Sequence, residues 1–115
     1  IAASIVTPAA AEGPALKIGA ILPLTGKAAS VGVSVRNGMV MAYQNLPPEV
    51  RRKLLIEFED DASEVKQAVS AAQRLMSSGQ IDLLLTVFSN TGNAVKPLAE
   101  RHAVSTTRSA CRRRP

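Results

Sequence analysis

Two hydrophobic periods take turns along this chain. Leu16–Leu22, LKIGAIL, is an apolar run interrupted by Lys17 and Gly19, and it reads as a strand. Pro23 and Gly26 then punctuate a loop. Over residues 32–46 the apolar positions Val35, Met39, Ala42, Tyr43 and Leu46 return at helical spacing. Gly38 lies inside this predicted helix, where it costs about 1 kcal/mol relative to Ala, and close packing on a sheet is the expected reason. Pro47-Pro48 ends the helix, because proline removes a donor and clashes with the turn before it. Residues 53–59, KLLIEFE, alternate: Leu54, Ile56 and Phe58 share one face, as in a strand nearer a sheet edge. Asp60-Asp61-Ala62-Ser63 is a turn of helix-capping residues.

Residues 64–78 carry the clearest helical stripe, Val65, Ala68, Val69, Ala72, Leu75 and Met76, with Gly79 at the position of a left-handed C-terminal residue. Residues 81–87, IDLLLTV, are nearly continuous apolar, the pattern of a central parallel strand buried on both faces. A polar loop at 88–93 leads into a third predicted helix at 94–102, with Val95, Leu98 and Ala99 inward and Pro97 in its early turns. The order β-α-β-α-β-α implies α/β architecture: a doubly wound parallel sheet with right-handed crossovers. After Val104 no further apolar run follows, so the sheet is expected to stop there.

Composition adjusts this picture at the two ends. At 115 residues the chain holds one small domain, with a globular balance of 46% hydrophobic and 20% charged residues. Aromatics are scarce, which suits an aliphatic core and argues against a base-stacking nucleic-acid surface. The net charge is +5, yet Arg108, Arg112, Arg113 and Arg114 all lie in the last ten residues, which hold no acid. Such a run is a solvated tail more often than a nucleic-acid arm, and residues 105–115 are expected to be a basic, disordered or frameshifted segment. Cys111 is the one cysteine, so neither an internal disulfide nor a metal-ligand spacing is available. At the other end, small apolar residues 1–11 finish in Ala9-Ala10-Ala11 before Glu12. They read as the remnant of a secretory signal or as an alanine-rich lead-in; the first reading implies export, to the periplasm.

Candidate chemistry is thin. Glu57, Glu59, Asp60 and Asp61 could bind a divalent cation or act as an acid–base pair, but a strand edge plus a helix cap explains them. Ser89, His102 and Asp60 are the residue types of a hydrolytic triad, yet no G-x-S-x-G surrounds Ser89, and His102 lies a helix away. No G-x-G-x-x-G or Walker sequence occurs, and no cofactor is implied.

Five segments, KIGAILPLTGKAASVG, RNGMVMA, EDDAS, QAVSAAQRLM and SNTGNAVKPLAE, stand in one order and spacing. Together they resemble the type I periplasmic solute-binding proteins, in particular the branched-chain amino acid group of ABC transporters. The resemblance covers residues 16–104 and implies a partial N-terminal lobe. It further implies a two-lobed binding protein that closes on a small amino acid or related anionic ligand, without catalysis, and signals to a membrane permease. Ser89, Asn90, Thr91 and Gly92 match the family's ligand-contacting serine-rich loop, and Val31 stands where such binders often carry an aromatic. A sensor or regulator on the same fold, or an α/β enzyme, are the other functions this fold could serve. Similar proteins continue into another apolar strand; a frameshift or a truncated gene would explain the arginine-rich end.

Overall fold

The computed structural model describes residues 5–6, 16–78, 81–102 and 104–108. The elements are β1 (Ile5–Val6), β2 (Leu16–Leu22), α1 (Ala29–Gln44), α2 (Pro48–Arg51), β3 (Leu54–Asp60), α3 (Val65–Ser78), β4 (Leu83–Thr86), α4 (Ser89–Arg101) and β5 (Ser105–Arg108). They form one sheet of order β1-β3-β2-β4-β5. β2 is the middle strand, parallel to β3 from Leu16↔Leu54 to Leu22↔Asp60 and to β4 from Ile18↔Leu83 to Ile21↔Thr86. The doubly wound α/β sheet read from the sequence is therefore the fold, with β2 innermost.

The pleat of β2 divides the core in two. Ile21 faces one side with Leu84 of β4, and there Ala68, Ala71, Ala72 and Leu75 of α3 and Val95, Leu98 and Ala99 of α4 close over it. Ala20 and Leu22 face the other side with Ile56 and Phe58 of β3, beneath Tyr43 of α1. The inward positions expected for α4 are all buried. Alanines dominate the α3 stripe, which lets that helix lie close to the sheet. Gly19 belongs to the same contact: a Cβ there would come within 2.9 Å of Leu75 Cδ1.

Several expectations are corrected. α4 starts at Ser89, so the polar segment 88–93 is a helical turn rather than a loop, and Pro97 sits inside the helix instead of near its start. Small polar residues such as Ser89 and Asn90 read as loop formers, but they are also ordinary first-turn residues where an unbonded N–H is no loss. Pro47-Pro48 ends α1 but also opens the one-turn helix α2, since proline fits a first helical position. Gly38 is exposed, with nothing within 4 Å of its would-be Cβ, so sheet packing does not explain it. The close approach belongs to Gly32, whose Cβ would run into the Pro23 carbonyl. Ala42 and Val65, counted on inward stripes, are exposed.

The two ends of the sheet also differ from expectation. Ser105–Arg108 continues the sheet beyond Val104 as β5, parallel to β4, with Leu83↔Ser105 through Thr86↔Arg108 in register. Strand pairing needs backbone donors and acceptors, not an apolar run, so a polar segment can extend an edge. Ile5–Val6 pairs antiparallel with β3. The remaining residues of the expected signal remnant, Gly79 and the arginines after Arg108 lie outside the described residues.

Candidate functional site

In a parallel sheet all carboxyl ends of the strands point the same way, and an open α/β sheet binds ligands beyond them. Here three strand-to-helix junctions meet at that end: residues 23–28 after β2, 61–64 after β3, and 87–88 after β4. They enclose a pocket of ≈ 230 Å³ lined by Lys27, Ala28, Asp61, Ser63, Val65, Phe88, Asn90 and Thr91. The junctions after β2, β3 and β4 all contribute to its lining.

The first two junctions are tied by side chains. The Asp60 carboxylate accepts from Leu24 N (2.8 Å), Thr25 N (3.2 Å) and Thr25 Oγ1 (2.7 Å), and from Ala62 N (2.8 Å) in its own turn. Ser63 Oγ donates to the Thr25 carbonyl at 2.8 Å and accepts from Ala28 N at 3.0 Å. To reach these positions Ala62 and Ser63 take φ of 51° and 59°, left-handed values that cost a non-glycine residue roughly 1 kcal/mol or more each. Asp61 Oδ1 accepts from Ser63 N at 2.8 Å and stabilises that conformation. Gly26, at φ 85°, presses on the same turn: a Cβ there would meet the Ala62 carbonyl at 2.7 Å.

These contacts set opposite electrostatics on neighbouring carboxyls. Burial alone would push Asp60 up, but the Thr25 hydroxyl and the N–H groups of Ala62, Leu24 and Thr25 outweigh it and hold the group below the usual carboxylate range. Asp61 is 2% exposed, and burial pushes it up; the Ser63 N–H works against the rise and the charge of Asp60 adds to it.

The third junction is built differently. Phe88 is the N-cap residue of α4, extended at φ −99° and ψ 146°, and its side chain makes no capping bond. The first N–H groups of a helix have no acceptor within it; Thr91 N turns to Asn90 Oδ1 at 2.9 Å, while Gly92 N closes the first helical bond to the Phe88 carbonyl at 2.9 Å. Ser89 and Asn90 are exposed, Thr91 and Gly92 buried. Of the four residues matched by sequence, Asn90 and Thr91 line the pocket; Ser89 stands at the helix start and Gly92 lies beneath. The arrangement brings oriented N–H groups and the positive end of a helix dipole to a pocket whose lining includes Lys27 and the buried Asp61.

Among the described residues no three His, Cys, Asp or Glu side chains are grouped to hold a metal ion. His102 follows the C-terminal end of the 13-residue helix that Ser89 starts, about 20 Å away at 1.5 Å per residue, and forms no triad with it. Sequence reasoning gave Thr25, Lys27 and Ser63 no individual part in holding this end together, and read Asp60 as a cap. The available signal was topological: once β2 and β3 are parallel neighbours, a Thr-Gly loop and an Asp-Asp-x-Ser turn at their ends must touch.

A family model described as "Periplasmic binding protein" matches residues 15–110. A Leu/Ile/Val-binding protein, BraC3, from Rhizobium johnstonii is 39% identical over 67 residues, which are 56% of this chain and 18% of that protein. A leucine-binding protein, LivK, from Thermotoga maritima superposes with TM-score 0.74 and 28% identity, over 83% of this chain and 27% of its own. A putative branched-chain amino acid ABC transporter protein from Silicibacter pomeroyi superposes with TM-score 0.72 and 25% identity, over 83% of this chain and 25% of its own. The chain spans about a quarter of these solved structures, and the match takes in less than a fifth of the curated relative.

Proposed function

The chain belongs to the periplasmic binding protein family, and on that premise we propose that it is part of the extracytoplasmic substrate-binding component of an ABC transporter for branched-chain or related amino acids. The family is one of substrate-binding proteins, and the relatives that support the ligand class are named for leucine, isoleucine and valine. In this reading the chain supplies a partial N-terminal lobe in the periplasm, and a facing lobe closes over the ligand and presents the closed form to a membrane permease.

The observation that carries the proposal is the uncapped N-terminus of α4 opening on the pocket formed by all three junctions. The N–H groups that open the first turn, at Ser89 and Asn90, receive the ligand carboxylate, with Thr91 and Gly92 packed directly behind them and the helix dipole adding to the attraction. Phe88, 38% exposed, and Val65, 37% exposed, supply apolar surface beside it for an aliphatic side chain.

Amide chemical shifts of the 115-residue chain, followed as leucine is added to high concentration, test this. The expected result is a response concentrated at residues 89–92, and a much smaller one with leucinamide, which lacks the carboxylate. Shifts that fall elsewhere, or that are equal for the two compounds, refute the carboxylate site. One wall buries little of a ligand, so binding by this chain alone is expected to be far weaker than micromolar.

A further inference from the structure

We infer that Asp60 is a positioning residue for the pocket: its carboxylate, seconded by the Ser63 hydroxyl, holds the β2–α1 loop in the place that gives the pocket its first wall. This rests on the reading of the pocket as a ligand site. The inference begins where the sheet ends. Leu22↔Asp60 is the last register pair of β2 and β3, and Asp61 N still donates to the Leu22 carbonyl at 3.0 Å. Beyond that rung, the hydrogen bonds between the loop and the turn that the described residues show all pass through the side chains of Asp60, Ser63 and Thr25. The remaining backbone bonds of the loop are local, Leu24 N to the Leu22 carbonyl, Ala29 N to the Gly26 carbonyl, and Val31 N and Gly32 N to the Ala28 carbonyl.

Asp60 does not do the work of a helix cap. One of its four donors is in its own turn, at Ala62, and three are in the opposite loop, at Leu24 and Thr25. Gly26 shows that the loop is drawn tight against the turn, since even a methyl group would strike the Ala62 carbonyl and Ser63 Oγ. The bond from Ala28 N to Ser63 Oγ then fixes Ala28, with Lys27 beside it, on the pocket wall. The charged groups around Asp60 are Asp61 and Glu64 along its own turn, Lys27 on the loop, and Glu59 on β3, paired at 3.5 Å with Arg74 of α3.

Asp60→Ala removes the acceptor. Asp60→Asn keeps Oδ1 for the three N–H donors and offers its amide to Thr25 Oγ1, reversing that one bond. Amide hydrogen exchange in the 115-residue chain, without ligand, is expected to quicken about tenfold or more at Leu24, Thr25 and Ala62 in Asp60→Ala, and to stay unchanged at Ala20 and Leu84 in mid-sheet. Asp60→Asn is expected to restore slow exchange. In the unsubstituted chain the three amides should shift together as pH falls below the ordinary aspartate range, and this shared transition should be missing in Asp60→Asn. Unchanged exchange at Leu24 and Thr25 in Asp60→Ala overturns the inference. So does a failure of Asp60→Asn to restore it. If Asp60→Ala does not fold, the titration of the unsubstituted chain decides: three amides moving with unrelated midpoints also overturn it. A chain that passes these tests but ignores leucine would instead refute the ligand reading, so the two failures are distinct.

Discussion

Two kinds of strand-to-helix junction stand side by side at the carboxyl end of this sheet. At the β2 and β3 ends almost every polar group near the turn is spent on the protein itself: Asp60 on four donors, Ser63 on Thr25 and Ala28, Asp61 on Ser63. At the β4 end the helix begins on a phenylalanine, with no side-chain cap. A helix start that needed only stability would carry Ser, Asp or Asn at that position, worth about 1 kcal/mol. The closed pair ties two junctions together by side chains, and in the proposed reading the open junction leaves donors for a ligand. Preorganised surroundings with a few unspent polar groups are what a small-ligand site requires.

The contrast breaks most severely at Gly32. Its missing Cβ lets α1 start directly against the Pro23 carbonyl, with no room for a side chain. Gly32→Ala must push α1 away from the end of β2 and spoil the closed wall. A destabilisation of about 3 kcal/mol is expected, the upper end of overpacking costs, and a urea unfolding series on the chain measures it. Gly38→Ala, in the same helix but over open space, is the control that should not destabilise.

That pair of glycines shows where sequence was readable. Periodicity is local, so β2, β3, β4, the three main helices and the buried faces of β3 and α4 followed from spacing. Which glycine touches what depends on the crossover that returns α1 to β2, and no window of sequence contains it; Gly38 looked like the packing residue and Gly32 is. The helix start at Ser89 was hidden for a related reason. A first turn needs no particular periodicity, and SNTGN has the composition of a loop. Asp60 was legible in type and not in role, because a carboxylate at the end of a strand reads as a cap until the neighbouring loop is known to lie within reach. β5 escaped because its pairing with β4 depends on the backbone, which composition does not report.

Ser89→Pro sharpens the open side. Proline is tolerated at a first helical position, and Phe88 before it already has the extended conformation that a following proline demands. The substitution removes one outward N–H while leaving the helix in place. Stability in urea should change by no more than about 0.5 kcal/mol, while the response of Asn90–Gly92 amides to leucine should weaken about tenfold, the worth of one hydrogen bond to a charged acceptor. An undiminished response would mean that the open helix end is not where the carboxylate sits.

The smallest effect separates the two neighbouring carboxyls within the closed wall. Asp60 is held below its unfolded value, so its contribution to stability is present above the ordinary aspartate range and is lost as pH falls through its lowered folded value. Asp61 runs the other way: its folded value is raised, so its favourable contribution is complete below the ordinary range and is lost as pH rises through the raised value. At neutral pH an ionised Asp61 is therefore a burden that its bond from Ser63 N only partly relieves. Asp61→Asn keeps the acceptor and removes the charge, and should stabilise the chain at pH 7 by less than about 1 kcal/mol. The gain should shrink as pH drops and vanish below the ordinary aspartate range, where the native residue is neutral in both states. Urea midpoints at pH 7 and at pH 3 measure the difference. A gain that grew toward low pH would mean that Asp61, like Asp60, is stabilised as a carboxylate, and the division of labour between the two residues would disappear.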